Sequence, residues 1–295
     1  MPVIGDRPEP NLKTIIFATD FSLCSMNAGL YAARIAAYFS AKLLVAHAFM
    51  LSQAAIEVEV GDRRLSQQRK DLTQLLSKEA SLLASTPAEA VPVLLDGDPE
   101  DAIPDLAEAH RPSLIALGTH GGGRFERGII GSVAEKILHS TNWPALTVGP
   151  QVQPFSPHSF PFERVLYATD FTTAAANASV YAVRFAEAFG SKIHVLNVLD
   201  DSAIEHPDRL SDLQTRFFVR LDSVVPQHAR DFCDPSTYVA VGKAHDKILD
   251  HIREHSIDLL VLGIRKTSHV SMEMRTSGAF RIIVDATCPV LTITG

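Results

Sequence analysis

Gly118-Thr119-His120-Gly121 is followed, after nine intervening residues, by Gly131-Ser132. The apolar run Leu114-Ile115-Ala116-Leu117 ends where this segment starts, and a helical pattern (Val133, Ala134, Ile137, Leu138) begins where it finishes. A glycine-rich turn between strand and helix suits a phosphate. Glycine lets backbone approach closely and aim several N–H groups at one anion. A helix start at Gly131-Ser132 adds unpaired N–H groups and the positive end of the helix dipole. The simplest ligand for such a turn is a nucleotide's phosphates. Standing alone, the same glycines would equally suit a surface loop.

The glycine turn does not stand alone, because the chain repeats. Lys13-Thr14-Ile15-Ile16-Phe17-Ala18-Thr19-Asp20-Phe21-Ser22 returns 150 residues later as Glu163-Arg164-Val165-Leu166-Tyr167-Ala168-Thr169-Asp170-Phe171-Thr172. Asn27, Tyr31, Arg34, Phe39 and Lys42 recur at the same offset. Gly97, His110, Gly118 and Pro144 recur 145 residues on, as Gly242, His255, Gly263 and Pro289. This is a duplicated domain of roughly 140 residues, an ordinary domain size. The expected division is 1–149, a linker at 150–162 and 163–295. Pro150, Pro154, Pro157 and Pro161 suggest that the linker is extended and semi-rigid.

Within the first half, Ile15–Ala18 is a continuous apolar run, as in a strand covered on both faces. Helical spacing follows near Cys24–Phe39. Leu43–Phe49 reads as a strand, Arg63–Leu83 as a polar-faced helix and Val91–Leu95 as a third strand. Asp98 and Pro99 suit the cap and first position of the next helix. Leu114–Gly118 and Pro144–Val148 complete five strands. Strands alternating with helices give a parallel α/β sheet with helices on both faces, Rossmann-like in class, once per half. Ligands on such sheets bind beyond the carboxyl ends of the strands, where strand order reverses. Asp20 and Gly118 both stand at such ends.

Ala-Thr-Asp-Phe-Ser after the first strand, Val-Ala-His-Ala in the second, and Gly-Thr-His-Gly…Gly-Ser-Val-Ala-Glu-Lys-Ile-Leu before Pro-Ala-Leu-Thr-Val resemble the universal stress protein family, in two tandem copies. The resemblance implies five-stranded open twisted sheets of order 3-2-1-4-5. In the family's nucleotide-binding branch it also implies an ATP site, with or without magnesium. It implies pairing of two such domains as well, which the duplication could supply within one chain or a homodimer between chains. Carried over, Asp20 faces the ribose or a bound metal ion, Ala18 lines the base pocket and Ala48 meets the adenine through its backbone. Gly118, Gly121, Gly131 and Ser132 hold the phosphates, adjoined by His120 and Val133. The chemistry agrees: a carboxylate accepts from ribose hydroxyls or coordinates magnesium, and Ser132 adds a hydroxyl donor.

The second copy departs from this pattern. Lys266 stands at the position of Gly121 and Thr276 at that of Gly131, while Asp170, Gly263 and Ser277 persist. Two lost glycines put side chains where a phosphate would approach, so the first copy is expected to bind and the second weakly or not at all. Other readings compete at single residues. Asp20 also suits a helix N-cap. His120 reads as a loop residue near a phosphate more readily than as a catalytic base. Arg124 and Arg127 are either phosphate clamps or exposed arginines. Cys24 reads as a small helix residue more readily than as a redox sensor.

The chain carries a net charge of -7 and no basic patch, so nucleic acid is not an expected partner. No apolar stretch is long enough to span a membrane, and residues 1–11 do not read as a secretory signal. Three widely spaced cysteines fit a reducing cytoplasm. Among twelve histidines there is no H-E-x-x-H and no tight Cys/His cluster, so no metal cage is expected. G-x-x-x-x-G-K-[ST], a G-x-G-x-x-G in the first turn and G-x-S-x-G are all missing. The expected function is therefore ATP binding by a regulator or sensor of a stress response with an unidentified protein partner. A slow magnesium-dependent ATPase or phosphoryl-transfer enzyme and a nucleotide-free scaffold are the alternatives.

Overall fold

A computed structural model describes residues 12–50, 59–84, 89–111, 113–120, 130–200, 207–265 and 278–295. The described residues divide into two compact units. The first is drawn from within Asn11–Phe125 and Gly131–Leu146, and the second chiefly from Thr147–Gly295.

In the first unit the chain runs β1 (Thr14–Ala18), α1 (Leu23–Tyr38), β2 (Lys42–Phe49), α2 (Glu59–Leu83), β3 (Ala90–Asp96), α3 (Pro99–Ala109), β4 (Ser113–Gly118), α4 (Ser132–Ser140) and the start of β5 (Ala145–Val148), the strand at which the division falls. The spatial order is β3-β2-β1-β4-β5. β1 is parallel to both central neighbours, with Ile15 opposite Leu43 on one side and Leu114 on the other. Ile15, Ile16, Phe17, Leu43, Leu114 and Ile115 are all fully buried or nearly so. That explains why their strands read as unbroken apolar runs: helices cover both faces.

The second unit repeats the plan with β6 (Arg164–Ala168), α5 (Thr173–Phe189), β7 (Lys192–Leu199), α6 (Pro207–Asp222), β8 (Pro235–Val241), α7 (Ala244–Glu254), β9 (Leu259–Ile264), α8 (Gly278–Asp285) and β10 (Val290–Thr294). Its order is β8-β7-β6-β9-β10. In both units the winding direction reverses between the first and fourth strands, so a crevice opens there. The α/β class expected from sequence is the class found. Element ends shift by a residue or so, and α2 starts four residues earlier than its apolar spacing shows. The proline-rich stretch is not wholly extended: Pro157–Ser159 forms a 3-10 turn capped by Ser156, and Phe162 is buried against Phe160 and Phe189 of the second unit. Among the described residues no helix is long and apolar enough to cross a membrane.

Candidate functional site

The site is built from the turn after β1. Phe21 adopts a left-handed backbone, φ 63°, a costly state for a bulky residue. Local hydrogen bonds hold it there. The Phe21 N–H donates to Thr19 Oγ1 (3.0 Å) and the Ser22 N–H to Asp20 Oδ1 (3.0 Å). Ser22, not Asp20, is the N-cap of α1, accepting from the Ser25 N–H (3.1 Å). The cap reading of Asp20 is thereby corrected. Its carboxylate closes an Asx turn and stays exposed at the carboxyl end of β1.

Beneath it, Thr19 is a hub. Its N–H donates to Ala46 O (2.9 Å), its carbonyl accepts from His47 Nδ1 (2.7 Å), and its hydroxyl donates to Glu79 Oε1 (3.0 Å). The bond to a carbonyl places the proton of His47 on Nδ1. Across the crevice the Gly131 N–H donates to Thr119 O (2.8 Å), which draws the start of α4 against the end of β4. Gly131 is the N-cap of α4 and offers no side chain, so side-chain capping leaves the first-turn N–H groups of α4 unanswered. An anion would meet that need.

A cleft of about 250 Å³ lies between these elements. Ala18, Asp20, Ala48, Gly118, Gly131, Ser132 and Val133 all line it. His120 is half-buried beside it, with its ring nitrogen Nδ1 2.9 Å from Thr119 Oγ1. Gly121, Arg124, Arg127, Lys266, Thr276 and Ser277 lie outside the described residues. Sequence reasoning did not single out as site residues Thr19, Ser25 and His47, nor Pro99 and Ile103 of α3, which also line it. His47 was visible only as part of a motif. Glu79 comes from sixty residues away and gave no signal.

Gly118 has a second reason to be glycine. A Cβ there would lie 2.8 Å from the backbone N of Ser25 and 2.9 Å from the carbonyl carbon of Cys24. Its bareness lets the first turn of α1 pack onto β4, whatever the cleft holds.

Glu79 is buried, and its Oε2 has no hydrogen-bond partner among the described residues. Burial pushes its carboxyl above the ordinary value; the Thr19 hydroxyl opposes the rise and the charge of Asp20 adds to it. A carboxyl raised on folding holds its proton where the unfolded chain has released it. Its stabilising share is therefore present below the unfolded value of 4.5 and is lost as pH rises through the folded value. Glu79→Gln keeps an acceptor for Thr19 and cannot ionise. Urea midpoints measured across this range should fall less steeply with pH for Glu79→Gln than for wild type. Parallel curves would mean that Glu79 is not the group responsible.

The second unit keeps the turn but not the cleft walls. Phe171 has φ 61°, its N–H donates to Thr169 Oγ1 (3.0 Å), and the Thr172 N–H donates to Asp170 Oδ1 (3.0 Å). Asn197 takes the place of His47 and donates to Thr169 O (2.7 Å). Ser25 becomes Ala175, Ala46 becomes Leu196 and Ala48 becomes Val198. Elsewhere in this unit lies a histidine cluster that the sequence reading, which found no tight Cys/His cluster, did not show. His194, His251 and His255 converge, with a ligating nitrogen from each within 4.8 Å of the others. Spacing could show His251 and His255 at i, i+4 but not His194, 57 residues earlier on a different element.

This is a twofold doubly wound α/β protein with a ligand-sized cleft at the switch point of its first unit. The universal stress protein family model matches residues 11–149 and 161–294, so the chain belongs to that family. A universal stress protein of Thermus aquaticus is 33% identical over 141 residues, 46% of this chain and 98% of that one. One from Methanocaldococcus jannaschii is 29% identical over 138 residues, 46% of this chain and 81% of that one. Among solved structures, a universal stress protein from Archaeoglobus fulgidus superposes with a TM-score of 0.74 at 21% identity, over 96% of this chain and 98% of its own, a likeness of fold.

Proposed function

We propose that this protein is a regulator or sensor in a cytoplasmic stress response, that its first unit binds ATP, and that its second binds it weakly or not at all. The observation that carries this reading is the pairing of the exposed Asp20 carboxylate with the uncapped start of α4 across one cleft. The base would sit over Ala18 and Ala48, the ribose against Asp20, and the phosphates at Gly118, Gly121, Gly131 and Ser132. His120 and Val133 would adjoin them. Magnesium, if it accompanies the phosphates, suits a single protein carboxylate, since it keeps most of its waters. In the second unit the larger Leu196 and Val198 support the asymmetry, because both stand where alanine leaves room in the first. Binding rather than turnover fits a cleft that sets one lining carboxylate, Asp20, opposite the backbone donors at the start of α4.

Denaturing freshly purified protein and identifying released nucleotide by chromatography and mass spectrometry tests this directly. About one ATP per chain is expected. Asp20→Ala should weaken ATP by about tenfold or more, the worth of one charge-assisted hydrogen bond. Two nucleotides per chain would overturn the asymmetry. None, with no binding on adding ATP and magnesium, would turn the reading toward a scaffold. Multiple-turnover phosphate release abolished by Asp20→Ala would turn it toward an enzyme.

A further inference from the structure

The second unit holds three imidazoles in one place. His194 lies near the amino-terminal end of β7, and His251 and His255 lie one turn apart at the end of α7, on the same helix face. His194 Nδ1 and His251 Nε2 are 3.0 Å apart, so one ring donates to the other. His251 and His255 have ring centroids 4.2 Å apart. Tyr238 of β8 stacks on His194 at 5.1 Å with planes 15° apart, fixing that ring's orientation. His194 and His251 are buried and His255 is half-open to a cavity of about 280 Å³, which Asp250 and Glu254 also line.

The fold does not require these residues. At the equivalent positions the first unit carries Leu44, Leu106 and His110, and Val93 in place of Tyr238. Two leucines, Leu44 buried and Leu106 half-buried, thus correspond to the buried His194 and His251 in the same architecture. Burying an imidazole costs more than burying a leucine, and the one hydrogen bond between His194 and His251 engages a single nitrogen of each ring.

We propose that His194, His251 and His255 form a binding site for a divalent transition-metal ion of the imidazole-preferring kind, such as zinc, with a fourth position open to the cavity. The distances suit it. Zinc–nitrogen bonds of about 2.0–2.1 Å in a tetrahedron put ligating nitrogens about 3.3 Å apart, and a nitrogen from each of the three rings already lies within 4.8 Å of the others. Burial and the neighbouring His255 hold His194 and His251 down to about 4, so at neutral pH both rings are uncharged, as ligands must be. For both to ligate, the proton between them moves to the outer nitrogen of the ring that carries it. Each ring stays neutral and the lone pairs face the ion. Asp250, Glu254 and Asp234 lend the region negative charge, against Arg164, Lys192 and Lys247. Asp250 is paired to Arg253, so the open position falls to solvent or to Glu254.

Cobalt(II) reports such a site by its visible absorption, intense in tetrahedral nitrogen coordination. Full-length protein stripped with a chelator and kept free of nucleotide should take up one cobalt per chain with that spectrum, and zinc should displace it. Zinc should also raise the melting temperature by about 4 °C or more. His251→Leu and His194→Leu place the first unit's own residues in the second, so they should fold. Each should weaken the metal at least 100-fold and abolish the thermal shift, and His255→Ala should do the same with little change in the metal-free protein. Wild type with no cobalt spectrum and no zinc shift would overturn the proposal. So would histidine variants that bind as wild type does, which would place the ion elsewhere.

Discussion

Gly263→Ala is expected to destabilise the protein by about 3 kcal/mol or more, at or above the upper end for overpacking. A Cβ at this position would lie 2.2 Å from the backbone N of Ala175 and 2.3 Å from the carbonyl carbon of Ala174. Both atoms belong to the first turn of α5, so no side chain can rotate away. The helix must lift from β9 or the strand must bend, and either move opens a core in which Ala174, Ala175 and Ala178 are buried. Gly118→Ala should cost less, about 1–2 kcal/mol, since its nearest approach is 2.8 Å, a few tenths from tolerable. Urea unfolding separates the two. Far-UV circular dichroism follows both units, and Trp143, the single tryptophan, follows the first. A Gly263→Ala midpoint equal to that of wild type would show that the start of α5 shifts freely and that the tight contact has no energetic weight.

Ala48→Phe carries the largest expected effect on ligand binding. Ala48 is half-buried near the carboxyl end of β2, opposite Leu95 of β3, and it lines the cleft on the same strand face as Ala46. A phenyl ring there takes up much of about 250 Å³ and occupies the space proposed for the adenine. ATP affinity should fall by about 100-fold, or ~2.7 kcal/mol. The thermal midpoint should barely move, because the ring enters an open cleft and not a packed core. Ala48→Val introduces what the second unit already carries as Val198, and a loss of about tenfold is expected. Isothermal titration with ATP and magnesium measures both. If Ala48→Phe bound like wild type, the base would not lie over β2 and the placement of the nucleotide would be wrong.

The parts of this molecule legible in its sequence were those set by neighbours along the chain. Ile15–Phe17 announced a strand buried on both faces, and Asp98-Pro99 the start of α3, where Asp98 Oδ1 indeed accepts from the Glu100 N–H at 2.9 Å. The repeat announced the second unit. Contacts between distant residues were silent. Thr19 meets Glu79 across sixty positions, and nothing in the periodicity of α2 marks which of its acidic residues turns inward. His194 meets His251 across 57, so a search for local ligand spacing passed over the cluster. At the turn after β1 the sequence reading named Asp20 as a cap candidate, and the structure gives the cap to Ser22. The left-handed Phe21 between them sets this, and a positive φ at phenylalanine is not an expectation that propensity supplies.

That left-handed phenylalanine occurs twice, at Phe21 and Phe171, each latched by the threonine two residues before it. A chain that carries its own duplicate is an alignment of two, folded and legible without any outside relative. Features present in both copies are those the architecture itself demands: the strained turn, its aspartate, and the bare glycine under the first helix. Features that differ, Ala46 against Leu196 or Leu44 against His194, are those each copy is free to spend on a task of its own. Survival of Asp170 and Gly263 in the second unit shows that both positions also serve the fold, and the residues that diverged mark where the two halves can differ in task.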